Sequence, residues 1–144
     1  MPAPITDISH VIQLAIAPVF LLTGIGTILN VLTGRLARAV DRRRVLMSEM
    51  PNLDAPVAAL AQQELAFEHR RIRLVYVAIG LSVLSALLVC LLISIAFIDA
   101  FIAMNLSKLV ATLFVLALVA LTGSIAIFMR EIFLAVDSVR APIR

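Results

Sequence analysis

Residues 11–34 read VIQLAIAPVFLLTGIGTILNVLTG, and residues 35–44 follow directly as RLARAVDRRR. The first stretch holds 24 residues without a formal charge, and the second holds five arginines. An uncharged run of this length can cross a bilayer as one helix, and arginines at its end hold that end at the membrane surface. The pattern therefore predicts a first transmembrane helix over residues 11–34.

The composition of the whole chain also indicates a membrane protein. Of its 144 residues, 62% are hydrophobic and only 15% are charged, and the mean hydropathy is +1.11. Soluble domains are only about 45–50% apolar, so lipid is expected to be the solvent for part of this surface. The length fits a single membrane domain, residues 1–144. The single cysteine, Cys90, lies in an apolar run and has no intrachain disulfide partner.

Two further uncharged runs predict two more spans. Residues 74–98 provide 25 such residues and residues 109–129 provide 21. The intervening segment, 35–73, is rich in helix-forming residues but is interrupted by prolines, which predicts a cytoplasmic helical hairpin bent at 51–54. Small residues of the second span predict close helix packing, and they are Gly80, Ser82, Ser85, Ala86 and Ser94. With an external link at 99–108 and a cytoplasmic tail at 130–144, the predicted fold class is an all-α membrane protein with three transmembrane helices.

The basic residues predict the orientation of these spans. The hairpin carries eight arginines and the tail carries three, whereas the opposite side has only Lys108. Cytoplasmic loops are enriched in lysine and arginine. We therefore expect the N-terminus outside and the hairpin and the C-terminus inside.

The most specific motifs lie in the first span and at its exit. They are ISHVIQLA at residues 8–15, APVFLLTGIG at 17–26 and LTGRLARAVDR at 32–42. Together with the basic hairpin and the third span, they make most of the chain resemble a bacterial family of small integral membrane proteins described as a domain of unknown function. The resemblance implies a multi-pass protein of the bacterial inner membrane. It implies no activity, substrate or catalytic residue.

One face of the predicted first span is mostly polar or small. This face can pack against other helices, because small residues allow close approach and hydroxyl or amide groups bond across. It can instead line a water-contacting route along an oligomer axis, with Thr27 and Asn30 at a polar constriction. The two alternatives are compatible if the packing partners are copies of the same chain. The opposite face, represented by Leu21 and Ile25, is expected to contact lipid. The residues of the polar face are Gln13, Phe20, Thr23, Thr27, Asn30 and Gly34.

The glycines and arginines of the same region have separate predicted roles. Gly24 and Gly26 lack the lysine and the preceding strand of a phosphate-binding loop. We therefore expect them to permit close packing of the backbone or a local unwinding together with Pro18. The arginines that follow the span are expected to bind anionic lipid head groups. They are Arg35, Arg38, Arg42, Arg43 and Arg44.

The sequence predicts no catalytic, metal-binding or cofactor-binding residue. No charged residue lies in any predicted span, and neither H-E-x-x-H nor G-x-S-x-G occurs. His10 follows Asp7 by one helical turn, but two ligands are too few for a metal site. His69 lies in the hairpin and is expected to be solvated.

Two functional hypotheses follow from these features. The first is a non-enzymatic, self-associating membrane protein, with the polar face lining an ion or small-solute route in an oligomeric channel. The alternative is a membrane scaffold or sensor whose arginine-rich hairpin binds anionic lipid or a cytoplasmic partner. Both require the lipid bilayer as a partner, and neither involves nucleic acid, since the arginines flank apolar runs.

Overall fold

The computed structural model describes residues 5–52, 54–102 and 104–140, and all regular secondary structure within these ranges is helical. Helix α1 spans Ile5–Glu49, α2 spans Ala55–Ile102 and α3 spans Ser107–Arg140. Each of the three is long and apolar enough to cross a membrane. The predicted all-α fold with three spans is therefore confirmed. Residues 141–144 of the predicted tail lie outside the described residues.

The predicted helical hairpin is present, and its bend lies where the prolines are. Helix α1 ends at Glu49, a short 3₁₀ helix covers Met50–Asn52, and α2 begins at Ala55. The carbonyl of Asp54 accepts the N–H groups of Val57 and Ala58, at 3.0 and 2.9 Å, which starts α2 in the manner of a helix N-cap. Across the hairpin, Arg42 Nη2 donates to Glu64 Oε1 at 2.8 Å.

The segment between the end of α2 and the start of α3 is shorter than the predicted link at 99–108. Helix α2 continues to Ile102 and α3 begins at Ser107. The Asp99 carboxylate accepts the backbone N–H of Leu106 at 3.0 Å, which bridges the turn. Asn105 has a φ of 54°, a left-handed conformation that asparagine tolerates better than most residues. The membrane boundaries of the spans, and the orientation, stay predictions.

The chain divides into two compact units. Unit 1 comprises α1 up to Leu29 and residues Leu81–Gly123. Unit 2 comprises Asn30–Gly80 and α3 from Ser124 onward. The core of unit 1 joins all three helices through five buried side chains: Ile25, Val89, Leu92, Leu113 and Ala117. In unit 2, the buried apolar residues include Leu32, Ile72, Val75 and Ala78.

Small residues bring α2 and α3 together inside each unit. In unit 1, the buried Ser85 hydroxyl donates to the Ala117 carbonyl at 2.7 Å. In unit 2, the buried Ser124 hydroxyl donates to the Ala78 carbonyl at 2.7 Å. Such bonds require close backbone approach, which the small side chains permit. The predicted packing role of Ser85 is confirmed, and Ser82 is likewise fully buried. Gly80 and Ser94 are exposed, so within the described chain they do not pack as expected.

Candidate functional site

A buried carboxylate of α3 holds arginines from the other two helices of unit 2. Glu131 is 4% exposed. Its Oε2 accepts a hydrogen bond from Arg35 Nη1 of α1 at 3.2 Å, and its Oε1 accepts one from Arg71 Nη2 of α2 at 2.8 Å. One carboxylate therefore bridges three helices. We call Glu131, Arg35 and Arg71 the arginine clamp.

The surroundings of the clamp fix its geometry. A buried carboxylate is tolerated only when it is paired and hydrogen-bonded, and here each carboxylate oxygen has a guanidinium partner. The guanidinium of Arg35 also lies over the ring of Phe128, 5.1 Å from its centroid, within the range of a cation–π contact. The clamp is thus a preorganised group of charges.

The clamp forms one wall of a cavity of about 360 Å³ in unit 2. Ile72 and Val75 of α2 provide an apolar wall, and the remaining lining is dominated by guanidinium groups. The charged residues of the lining are Arg35, Arg38, Arg42, Arg71 and Glu131. Four positive charges therefore face this cavity against one negative charge, so its interior attracts anions.

The structure separates the five arginines that the sequence grouped as a lipid-binding set. Arg35, Arg38 and Arg42 follow each other at spacings of three and four, so they share one helical face and line the cavity. Arg43 and Arg44 lie on other faces of α1 and do not line it. Arg38 passes over Gly34, because its Nη1 lies 3.9 Å from where a Cβ at Gly34 would be. Binding of anionic lipid by any of the five stays a prediction.

The polar face of α1 is turned outward from the core. Gln13, Thr23, Thr27 and Asn30 are exposed, Gly34 is partly exposed, and Phe20 is 73% exposed. The Thr27 hydroxyl donates to the Thr23 carbonyl at 3.1 Å, and the Thr23 hydroxyl donates to the Val19 carbonyl at 3.4 Å. Within the described residues, the side-chain amides of Gln13 and Asn30 have no hydrogen-bond partner.

The expectation that Ile25 contacts lipid is wrong. Ile25 is 1% exposed and belongs to the core of unit 1, and Leu21 packs partly buried against the same core. About two helical turns after Ile25, Leu32 is fully buried in unit 2. Apolar side chains suit lipid and protein interior equally well. The chain uses this face of α1 for packing against its own α2 and α3.

Gly24 and Gly26 do not act within the chain as expected. A Cβ added at Gly24 or at Gly26 would meet nothing within 4 Å, so neither glycine permits a close approach by α2 or α3. Helix α1 is uninterrupted across Pro18, so the local unwinding is wrong. Close packing of these glycines against another copy stays a prediction.

Sequence reasoning missed Glu131 and Arg71 as site residues. They lie 60 residues apart, and Arg35 lies a further 36 residues before Arg71. One signal was present. Each residue lies just outside a predicted span, after residue 34, before residue 74 and after residue 129, so all three are expected at one membrane surface.

A second cavity lies in unit 1 and is mostly apolar. It has a volume of about 790 Å³ and is walled by side chains such as Leu14, Leu92 and Phe114. Its polar lining residues are His10, Asp99 and Ser107. Among the described residues, no three His, Cys, Asp or Glu side chains lie close enough together to hold a metal ion.

Comparison with known proteins gives a family but no activity. A search of curated proteins found no match, and a search of solved structures found none either. The family model described as "Protein of unknown function (DUF2721)" matches residues 15–141, which include both the polar face from Phe20 onward and the arginine clamp. The match covers most of the 144 residues. The chain therefore belongs to the DUF2721 family of proteins of unknown function.

Proposed function

We propose that the protein is a non-enzymatic, self-associating protein of the bacterial inner membrane, whose copies meet through the polar face of α1. The observation that carries this proposal is the exposure of Gln13 and Asn30 in an apolar span. Their amides lie on the side of α1 away from Ile25 and have no partner in the described parts of the chain.

The energetics favour another copy of the same face as the partner. An amide in hydrocarbon without a hydrogen bond is unfavourable by several kcal/mol on alkane scales. An amide offers both donors and an acceptor, so two copies of the face complement each other. Each interhelical bond is expected to contribute about 1 kcal/mol. The hydroxyls of Thr23 and Thr27 already donate within α1. The two threonines would therefore contribute to association through their small size, which allows close packing.

An oligomer in which several polar faces converge would also provide a route through the membrane. Thr27 and Asn30 would supply oxygen and nitrogen atoms along that route, as polar pore linings do. The Phe20 side chain projects outward from α1 on the same face and would form an apolar constriction. We propose an ion or small solute as the permeant species.

Disulfide crosslinking tests the association face. In a Cys90→Ala background, Thr23→Cys and Thr27→Cys are compared with Leu87→Cys and Val119→Cys. The control positions are exposed on the apolar surfaces of α2 and α3, near the middle of their predicted spans. Because the polar faces meet between copies, we expect oxidised dimers mainly from the two threonine positions. Equal crosslinking at all four positions, or none at Thr23 and Thr27, would overturn the proposed face.

Flux through vesicles tests the route. We expect the purified protein in liposomes to conduct ions or small solutes, and Asn30→Leu to reduce the flux to that of empty vesicles, because it removes the amide from the constriction. Val119→Leu, an apolar change on exposed α3 surface, is expected to leave the flux unchanged. Crosslinked oligomers without any flux would refute the route and leave the association in place.

A second function is favoured by a different observation. The cavity in unit 2 collects four arginines, one carboxylate and two aliphatic side chains at one predicted membrane surface. This arrangement supports a membrane scaffold or sensor that binds anionic lipid through its arginine-rich segment. Its cavity residues differ from the six residues of the polar face, although Arg38 lies one turn after Gly34 on the same side of α1.

A further inference from the structure

The arginine cavity has the features of a specific site rather than a diffuse basic surface. Arg35 and Arg71 are held by the buried Glu131, at 3.2 and 2.8 Å, so their guanidinium planes are positioned before any ligand arrives. Preorganisation of this kind reduces the entropic cost of binding. Arg44, by contrast, is exposed and has no ion pair or hydrogen bond among the described residues.

The hydrogen bonds of Glu131 described above reach Arg35 and Arg71 but neither Arg38 nor Arg42. Arg38 lines the cavity between Arg35 and Arg42, and in the described parts of the chain it has neither an ion pair nor a hydrogen bond. Its five N–H donors are therefore available to a ligand. Arg42 lines the same space and also donates a hydrogen bond to Glu64.

The size and the wall chemistry limit the ligand. At about 30 Å³ per water molecule, a volume of about 360 Å³ equals about twelve waters, which is enough for a phosphate group with part of its ester. Guanidinium groups bind phosphate through paired N–H···O bonds that a single ammonium cannot form. Ile72 and Val75 would contact the less polar part of such a ligand.

We propose that this cavity binds one phosphate group, with Arg38 and Arg42 as its direct ligands and the arginine clamp as the rigid wall behind it. The proposal rests on the second function above, because it gives the binding of anionic lipid a defined site. The clamp residues directly flank the predicted ends of the spans, so the phosphate of a lipid head group would lie at the same depth. A soluble phosphate offers the same oxygen atoms, and the experiment separates the two sources.

The test compares two pairs of arginines in the full chain, purified in detergent and stripped of lipid. Arg38→Gln/Arg42→Gln removes two cavity arginines, whereas Arg43→Gln/Arg44→Gln removes two neighbours outside the cavity. Both variants lose the same charge from adjacent turns of α1. The probes are short-chain phosphatidic acid, short-chain phosphatidylcholine and inorganic phosphate, each titrated by calorimetry.

We expect the cavity pair to weaken binding of phosphatidic acid by about a hundredfold, since a hydrogen bond to a charged group corresponds to roughly tenfold in affinity. The outer pair is expected to weaken it by less than about threefold, through lost long-range attraction alone. Arg38→Gln by itself breaks no hydrogen bond or ion pair in the described chain, and we expect it to weaken binding of phosphatidic acid about tenfold. This single variant guards against misfolding of the double variant. Inorganic phosphate bound as tightly, with the same dependence on Arg38, would support the site and assign it to a soluble ligand.

Two results would overturn the proposed phosphate site, and only one of them would also refute the second function. Equal losses from the two arginine pairs would refute the cavity but leave binding of anionic lipid by the basic surface. If the unaltered protein binds phosphatidic acid no better than phosphatidylcholine and does not bind phosphate, then both the cavity and the second function fail.

Discussion

We expect Glu131→Gln to lower the free energy of unfolding by about 3 kcal/mol. Removing one partner of a buried ion pair leaves the other charge uncompensated, which typically reduces stability by about 3–5 kcal/mol. The lower end applies here because Arg35 retains 37% side-chain exposure and can reach solvent. The glutamine keeps the shape of the side chain, so the effect reports the charge. The measurement is denaturant unfolding in detergent micelles, followed by circular dichroism.

Glu64→Gln is the matched control for this prediction. It makes the same chemical change to a carboxylate that also accepts a 2.8 Å hydrogen bond from an arginine, but its side chain is 45% exposed. Exposed ion pairs contribute about 0–1 kcal/mol, so we expect little change. We also expect Glu131→Leu combined with Arg71→Met to be more stable than Glu131→Leu alone, because the unpaired cation is removed. Equal losses for Glu131→Gln and Glu64→Gln would contradict the structural role of the clamp.

The second large effect is expected from Ala78→Leu, which should reduce stability by about 2–3 kcal/mol. Ala78 is fully buried in unit 2, and its carbonyl accepts the Ser124 hydroxyl of α3 at 2.7 Å. A leucine there would push α3 away and break this bond, and overpacking of this kind is unfavourable by about 1–3 kcal/mol. The same unfolding experiment in detergent measures it.

Ala126→Leu on α3 serves as the control for overpacking, because Ala126 is exposed. It adds the same three methylene-sized groups where nothing limits their space, so we expect a change within about 0.5 kcal/mol. If Ala78→Leu proved as mild as Ala126→Leu, the close approach of α2 and α3 at this point would be refuted.

The sequence allowed the helical fold to be predicted because its signals are local. Uncharged runs mark the spans, and Pro51 and Pro56 mark the bend between α1 and α2, where the structure has its helix boundary. The role of Ser85 could be predicted as well, since a small polar residue in an apolar span favours a helix contact. Each of these signals lies within a few residues of the feature that it predicts.

Local signals could not predict which face of each helix packs inside the protein and which contacts lipid. In a soluble protein the apolar face of a helix points inward, but in a bilayer lipid is as apolar as a core. Ile25 therefore carried no signal that it would pack inside the chain. The clamp was missed for a different reason. Its members come from three helices, and their pairing depends on the tertiary arrangement of α1, α2 and α3, which no local pattern encodes.

The bridge made by Glu131 also bears on how the protein is made. Chains emerge from the ribosome N-terminus first, so Arg35 and Arg71 are synthesised well before the carboxylate that bonds to both. Until α3 is complete, the nascent chain carries both guanidinium groups beside apolar segments without that neutralising partner. A chain that stops short of residue 131 would lack the carboxylate that joins α1, α2 and α3.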